Sequence, residues 1–173
     1  MPARTRLQQG IRALTAWAQP VDWALAESVL TPPQMALFRR MRRSEQLHSL
    51  RVLRDLQAAG ETDPDLMVAA LLHDVGKTAA RFWLPERVLV VLVRKFAPAR
   101  HHHWGQTGTL HDWRKPFAIS LRHPEWSAQM LERAGGTPRS VALVRQHADP
   151  VPDPPRNEFE RLLAVLQWAD NRN

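Results

Sequence analysis

The chain of 173 residues contains no cysteine. That excludes disulfides, zinc–thiolate sites and cysteine nucleophiles, so any metal site must be built from histidine, carboxylate and water. It also lacks a long apolar run. Runs such as VLVVLV at residues 88–93 fall far short of the roughly 20 residues a spanning helix needs, so no membrane span is expected. Acids are in the minority: 17 Asp and Glu stand against 24 Lys and Arg, for a formal net charge of +7. That surplus favours anionic partners such as phosphates, nucleotides, nucleic acid or an anionic membrane surface.

Within this basic chain the first 21 residues hold Arg4, Arg6 and Arg12 and no acid. The helical spacing of Ile11, Leu14 and Ala18 points to a structural helix rather than a targeting peptide, and a cytoplasmic location is expected. The RRMRR run at 39–43 is open to nucleic acid. Helical periodicity, however, spreads its arginines around Met41, which favours a solvated helix face over a nucleic-acid partner.

What is present fits one globular domain: 44% hydrophobic and 24% charged residues in a chain long enough to bury a core. The expected fold class is all-α. TPPQMALFRRMRRSEQLHSLRVLRDLQAAG opens with a Thr31 cap and prolines, closes at Gly60 and reads as one helix. DPDLMVAALLHDVG repeats the grammar, with Asp63 as cap, Pro64 in the first turn and Gly76 past the end. PERVLVVLVRKF reads as a helix or a buried strand. Further helices are expected to begin at His123-Pro124, at Thr137-Pro138 and in NEFERLLAVLQWADNRN. Residues 97–120, polar and glycine-containing, read as an irregular loop, and 148–157 as a proline-rich connector. The expected organisation is a helical extension over 1–30 and one domain over 31–173.

The eight histidines divide evenly. His101, His102, His103 and His111 fall in the expected loop, which lacks the rigid presentation a metal site needs. His48, His73, His123 and His147 fall in or at the ends of helices. His147 follows Leu143 and Val144, and His73 follows Ala69 and Ala70, at the spacing of one helix face. Asp170 stands in the same relation to Leu163 and Leu166, on the face that points inward. A buried carboxylate without a partner is costly, and a cation removes the cost. Asp74 poses the same problem, sharpened by a helix C-terminus whose dipole repels it. Taken singly, His48 and His123 read as ordinary surface histidines; the case rests on the set.

HSLRV at 48–52, LLHDVGK at 71–77 and WAD at 168–170 together resemble the HD-domain superfamily of metal-dependent phosphohydrolases, over roughly residues 35–173. RHPEWSAQML at 122–131 and LVRQHADP at 143–150 resemble the additional histidine pair of its dinuclear members. Those include HD-GYP cyclic-dinucleotide phosphodiesterases and bacterial hydrolases of dinucleoside polyphosphates. The resemblance implies an HD helical bundle. It implies that His48, His73, Asp74 and Asp170 hold one divalent metal, and that Asp74 bridges to a second held by His123 and His147. Fe, Mn, Mg, Co, Ni and Zn all suit such donors. The subtype with one metal needs only the first four ligands.

The implied reaction is hydrolysis of a phosphate ester or anhydride of a nucleotide-like small molecule by a metal-activated hydroxide. Asp74 would act at its centre, with Lys77 and Arg51 as phosphate clamps, Arg51 lying one helical turn after His48. Two departures weigh against cyclic dinucleotides: a Gln146-His147 pair stands where that subtype has two histidines, and no GYP element follows. Alternative readings are a mixed-valent di-iron oxygenase of the same fold, and a non-catalytic module stabilised by metal. Trp126 and Trp168 are expected near the site, and Trp104 and Trp113 in a lid.

Overall fold

A computed structural model of the chain describes residues 19–81 and 83–173. Among these residues there are nine α-helices and no strand, as an all-α reading requires. In chain order they are α1 (Trp23–Glu27), α2 (Pro32–Arg40), α3 (Arg43–Ala58), α4 (Pro64–Leu72), α5 (Leu84–Phe96), α6 (Pro98–Thr107), α7 (Lys115–Arg133), α8 (Pro138–Gln146) and α9 (Glu158–Arg172). A short 3-10 turn, Val75–Ala79, follows α4. The helix expected around Ile11 lies outside the described residues.

The central element is α4. Leu66, Met67, Ala69, Ala70, Leu71 and Leu72 are all buried, which is the signature of a helix surrounded by others. The Asp63 carboxylate accepts from the amides of Asp65 and Leu66 at its start, and Pro64 occupies a first-turn position where no donor is required. Around α4 stand α3, α8 and α9, and α7 closes the bundle against the 3-10 turn and α8. Leu50, Leu53, Leu56, Leu143, Leu162 and Leu131 fill the space between them with essentially no exposure. Each contributes roughly 1.5–3 kcal/mol through removal of its side chain from water.

Three expectations are corrected. Residues 31–60 form two helices rather than one. Met41 and Arg42 adopt extended backbone (ψ 152° and 149°), which turns the chain so that Phe38 and Met41 reach the core alongside Leu47 and Leu50. Glutamine and glutamate side chains stand in for the lost helical bonds: Gln46 donates to the Phe38 carbonyl at 3.0 Å, and Glu45 accepts from the Arg42 amide at 3.2 Å.

Residues 97–120 are not an irregular loop. Pro98–Thr107 is helix α6, Lys115 already belongs to α7, and only 108–114 is irregular. Polar composition concealed α6, because only one side of it is covered. His101 is buried and His102 and His103 are exposed. Trp104 meets Phe117 edge-on at 5.0 Å between ring centroids, and Gly105 lets α6 approach α7 so closely that a Cβ there would lie 2.7 Å from Leu121.

Finally, α7 does not begin at His123. It runs from Lys115 straight through Pro124, because apolar Phe117, Ile119, Ala128 and Leu131 keep one side of it buried along its whole length. The ambiguous segment 84–96 is helical. It packs with α6 and α7 over a second, smaller core of Val90, Phe117 and Ile119.

Candidate metal centre

Five elements converge on one point. His48 comes from α3, and His73 is the residue that ends α4, with Asp74 directly after it. His123 lies in the middle of α7, His147 ends α8, and Asp170 is near the end of α9. His73, Asp74, His123 and His147 are buried, and His48 is half-buried. All six donors predicted from the sequence therefore come together.

The histidines share one orienting device. A backbone carbonyl can only accept, so a ring nitrogen bonded to one must carry the proton. His73 Nδ1 donates to the Ala70 carbonyl at 3.1 Å, and His147 Nδ1 to the Val144 carbonyl at 2.8 Å. Both acceptors lie in the last turn of a helix, where carbonyls have no helical amide to serve. His123 sits mid-helix, where such an acceptor is normally taken. Pro124 supplies it: having no N–H, it leaves the Ser120 carbonyl four residues back free, and His123 Nδ1 donates to that oxygen at 3.0 Å, sharing the proton with the Ile119 carbonyl at 3.2 Å. In all three residues a proton is fixed on Nδ1 and Nε2 is turned inward, the second-layer arrangement that metal-binding histidines require.

Asp74 is the hub. Its Oδ1 lies 3.3 Å from His123 Nε2, and its Oδ2 lies 3.6 Å from His73 Nε2 and 2.6 Å from Lys77 Nζ. Asp170 Oδ1 is 2.8 Å from His48 Nε2 and 3.6 Å from His73 Nε2. His73 Nε2 is buried and bonded to nothing, since 3.6 Å is too long for a hydrogen bond. Two donors about 2.1 Å from one cation and at a right angle or somewhat more stand about 3.0–3.4 Å apart. The 3.3 Å from Asp74 to His123 is of that size, and the 3.6 Å to His73 is slightly more. Two groups of donor atoms can each hold an ion: His48, His73 and Asp74, and Asp74, His123 and His147, each with its atoms within 4.8 Å of one another. The orphaned Nε2 and the nitrogen and oxygen donor set both fit divalent metals.

Electrostatics agree. Burial raises the Asp74 carboxyl, but Lys77, His73 and His123 overcome it and hold it well below the usual carboxylate range. Burial also works against the Asp170 carboxylate, and His48 and His73 more than offset it. Burial lowers the His73 imidazolium, yet the charges of Asp74 and Asp170 win and raise it to about 9. His147 is pushed down to about 3, first by burial and then by the charges of His73 and His123. His123 is likewise lowered, by burial first. Two carboxylates are thus balanced by one histidine proton and one lysine, while His123 and His147 present neutral lone pairs.

The glycine of the HDVGK segment has a different role from the helix terminator expected of it. Left-handed backbone occurs at Gly60 and Gly135, and Gly76 has none. A Cβ on Gly76 would lie 2.3 Å from the His123 carbonyl and 2.8 Å from Ser127 Oγ. The bare backbone lets the 3-10 turn press onto α7, and Gly76 N donates to Ser127 Oγ at 2.7 Å. That contact brings Asp74 and His123, distant in sequence, within reach of each other.

The other predictions fare unevenly. Lys77 is in the site, but its Nζ is held by Asp74 rather than extended outward. Arg51 is half-buried one turn along α3 from His48. Trp168 does not pack inward: it is 41% exposed, with the Arg172 guanidinium over its ring. Sequence reasoning missed Pro124, Ser127 and Gln167, whose Nε2 donates to the His147 carbonyl at 3.0 Å. A readable signal existed for Pro124: the apolar spacing of α7 continues on both sides of it.

An all-α bundle that gathers four histidines and two aspartates around a shared carboxylate defines a class of candidate metalloproteins. A family model described as HD domain matches residues 47–172, a span that includes all six donors, and the chain belongs to that family. No curated protein and no solved structure matches the chain.

Proposed function

We propose that the protein is a metal-dependent phosphohydrolase that cleaves a phosphate ester or anhydride bond of a nucleotide-like substrate. One observation carries this reading: the buried carboxylate of Asp74 is shared by two groups of donor atoms, one on each side of it. His48, His73, Asp74 and Asp170 would hold one divalent cation, and Asp74, His123 and His147 a second. When bound, such metals supply Lewis acidity, acidifying water and neutralising phosphoryl oxygens.

The chain's own residues do the rest. The carbonyls of Ala70, Ser120 and Val144 hold the imidazoles in one tautomer, so no reorientation is needed on loading. Lys77 neutralises Asp74 at 2.6 Å. With a cation on Asp74, the flexible Lys77 ammonium would be free to meet a phosphate oxygen. Arg51, one turn from His48, is the second clamp. The net charge of +7 favours a polyanionic substrate.

The test is a panel of nucleotides and dinucleotides incubated with the purified protein and Mn, Fe, Co, Ni, Zn or Mg. Release of phosphate or a nucleoside monophosphate, abolished by chelation and by Asp74→Asn, is expected. Absence of turnover across the panel, together with no metal in the protein, overturns the reading. Dioxygen consumption without hydrolysis would reassign the centre to oxidation. Nucleic-acid binding indifferent to Asp74→Ala would reassign the protein to a binding module.

A further inference from the structure

Helix α5 is turned inside out relative to an ordinary surface helix. The polar groups near its start face the protein: Glu86 is bonded to Lys115 Nζ at 2.8 Å, and Arg87 pairs with Glu45 of α3. Its apolar residues face solvent. Leu84, Val88, Leu92 and Phe96, four residues apart, form one continuous stripe with exposures of 59%, 52%, 48% and 73%, and Leu89 and Val91 widen it. Only Val90 on α5 is fully covered. A contiguous exposed apolar face on a folded domain marks a surface that something covers.

Charge and shape select the occupant. Residues 81–111 carry Arg81, Arg87, Arg94, Lys95 and Arg100 against a single acid, Glu86, which is already engaged with Lys115. Arg94 and Lys95 flank the stripe and are exposed. A second copy meeting it ridge to ridge brings the same surplus of cations and only the engaged Glu86 against them. The first 18 residues, with Arg4, Arg6 and Arg12 and no acid, bring more of the same sign. The surface is the outer side of a single helix rather than a cleft between elements. An aromatic residue stands at each end, Trp83 (57% exposed) before α5 and Phe96 at its close. At 13 residues α5 is too short to cross a bilayer and suited to lying in its surface. A helix with apolar residues on one side, aromatic ends and flanking cations is the form that seats in an anionic headgroup layer.

We infer that the α5 ridge docks the protein on the surface of an anionic lipid membrane. Leu84, Val88, Leu92 and Phe96 enter the boundary between headgroups and acyl chains, and Arg94 and Lys95 meet the lipid phosphates. The metal centre takes no part, so docking stands or falls independently of the proposed reaction.

The experiment uses the full chain with vesicles of phosphatidylcholine mixed with phosphatidylglycerol, and with vesicles of phosphatidylcholine alone. The protein is expected to co-sediment with the anionic vesicles, with a blue shift of tryptophan emission, and to dissociate as salt is raised. Arg94→Gln and Lys95→Gln should each weaken binding about fivefold. Val88→Asp combined with Leu92→Asp should abolish it while leaving the thermal melt in place, and Asp74→Ala should leave it intact. Equal binding to both vesicle types, no binding to either, or undiminished binding by the Val88→Asp, Leu92→Asp variant overturns the inference. So does a dimer in sedimentation equilibrium that Leu92→Asp dissociates, which would assign the ridge to a second copy.

Discussion

Two regions of this molecule treat the same kind of residue in opposite ways. Around the candidate metal centre, α3, α4, α7, α8 and α9 bury most of their apolar side chains, and most of the polar groups inside are ordered by specific bonds. In the α5–α6 lobe a small core of Val90, Phe117 and Ile119 supports a helix whose larger apolar residues face outward. The first region holds atoms in place. The second holds a surface open. Both helices carry leucines, but α4 is apolar on every side, which suits it to enclosure, whereas α5 joins an apolar side to Glu86, Arg87, Arg94 and Lys95.

The largest effect that would break this contrast is at its centre. Asp74→Ala should eliminate metal from both donor groups, measured as stoichiometry by elemental analysis, because the two groups share that carboxylate. Loss of one equivalent only would show that the halves are independent. Next comes Gly76→Ala. A Cβ 2.3 Å from the His123 carbonyl forces the 3-10 turn off α7, and overpacking of this kind costs about 1–3 kcal/mol in a denaturant titration. An unchanged midpoint would mean that the turn moves freely.

Proton linkage supplies the third. Raised to about 9, His73 in the metal-free fold keeps a proton that the unfolded chain releases above its ordinary pKa, so its stabilisation is complete below pH 6.5 and fades as pH rises toward 9. Lowered to about 3, His147 refuses a proton that the unfolded chain takes up, so stability also fades as pH falls from 6.5 toward 3. Thermal melts of the metal-free protein should therefore peak near pH 6.5, and saturating metal should abolish the alkaline decline. A flat profile between neutral pH and 9 would contradict the carboxylate environment described for His73.

Pro124→Ala should separate stability from binding. An alanine amide reclaims the Ser120 carbonyl and leaves His123 only its longer bond to the Ile119 carbonyl, so metal affinity should fall about tenfold. The melt should hold or rise, because proline is costly inside a helix. Parallel loss of both would make Pro124 merely structural. The smallest effect belongs to the other region: Leu92→Asp on the open ridge should change stability by less than about 0.5 kcal/mol and leave metal content untouched.

Much of the first region was legible in the sequence and much of the second was not. Caps such as Asp63 and Thr137, whose Oγ1 accepts from the Ser140 amide, act through neighbours a few residues away, so local spacing reveals them. His73, His147 and Asp170 were visible because polar residues stood out against an apolar helix face. Pro124 read as a boundary because proline usually is one, and only tertiary burial on both sides of it carried α7 through. Helix α6 was hidden for a related reason. Its order comes from Trp104 and Gly105 fitting against α7, a contact with no periodic trace in the sequence. The Lys77–Asp74 bond is not legible in the sequence, because a phosphate clamp and an internal counter-ion call for the same residue at the same place.

The bond from His123 to the Ser120 carbonyl has a consequence for anyone transplanting this centre into another scaffold. At the ends of α4 and α8 a histidine finds a spare carbonyl wherever it is installed, so the ligand travels alone. In the middle of a helix it does not, and the smallest portable unit is the dipeptide His123-Pro124. There the instruction that sets the ring is written in the residue after the ligand, as the deletion of a single amide hydrogen.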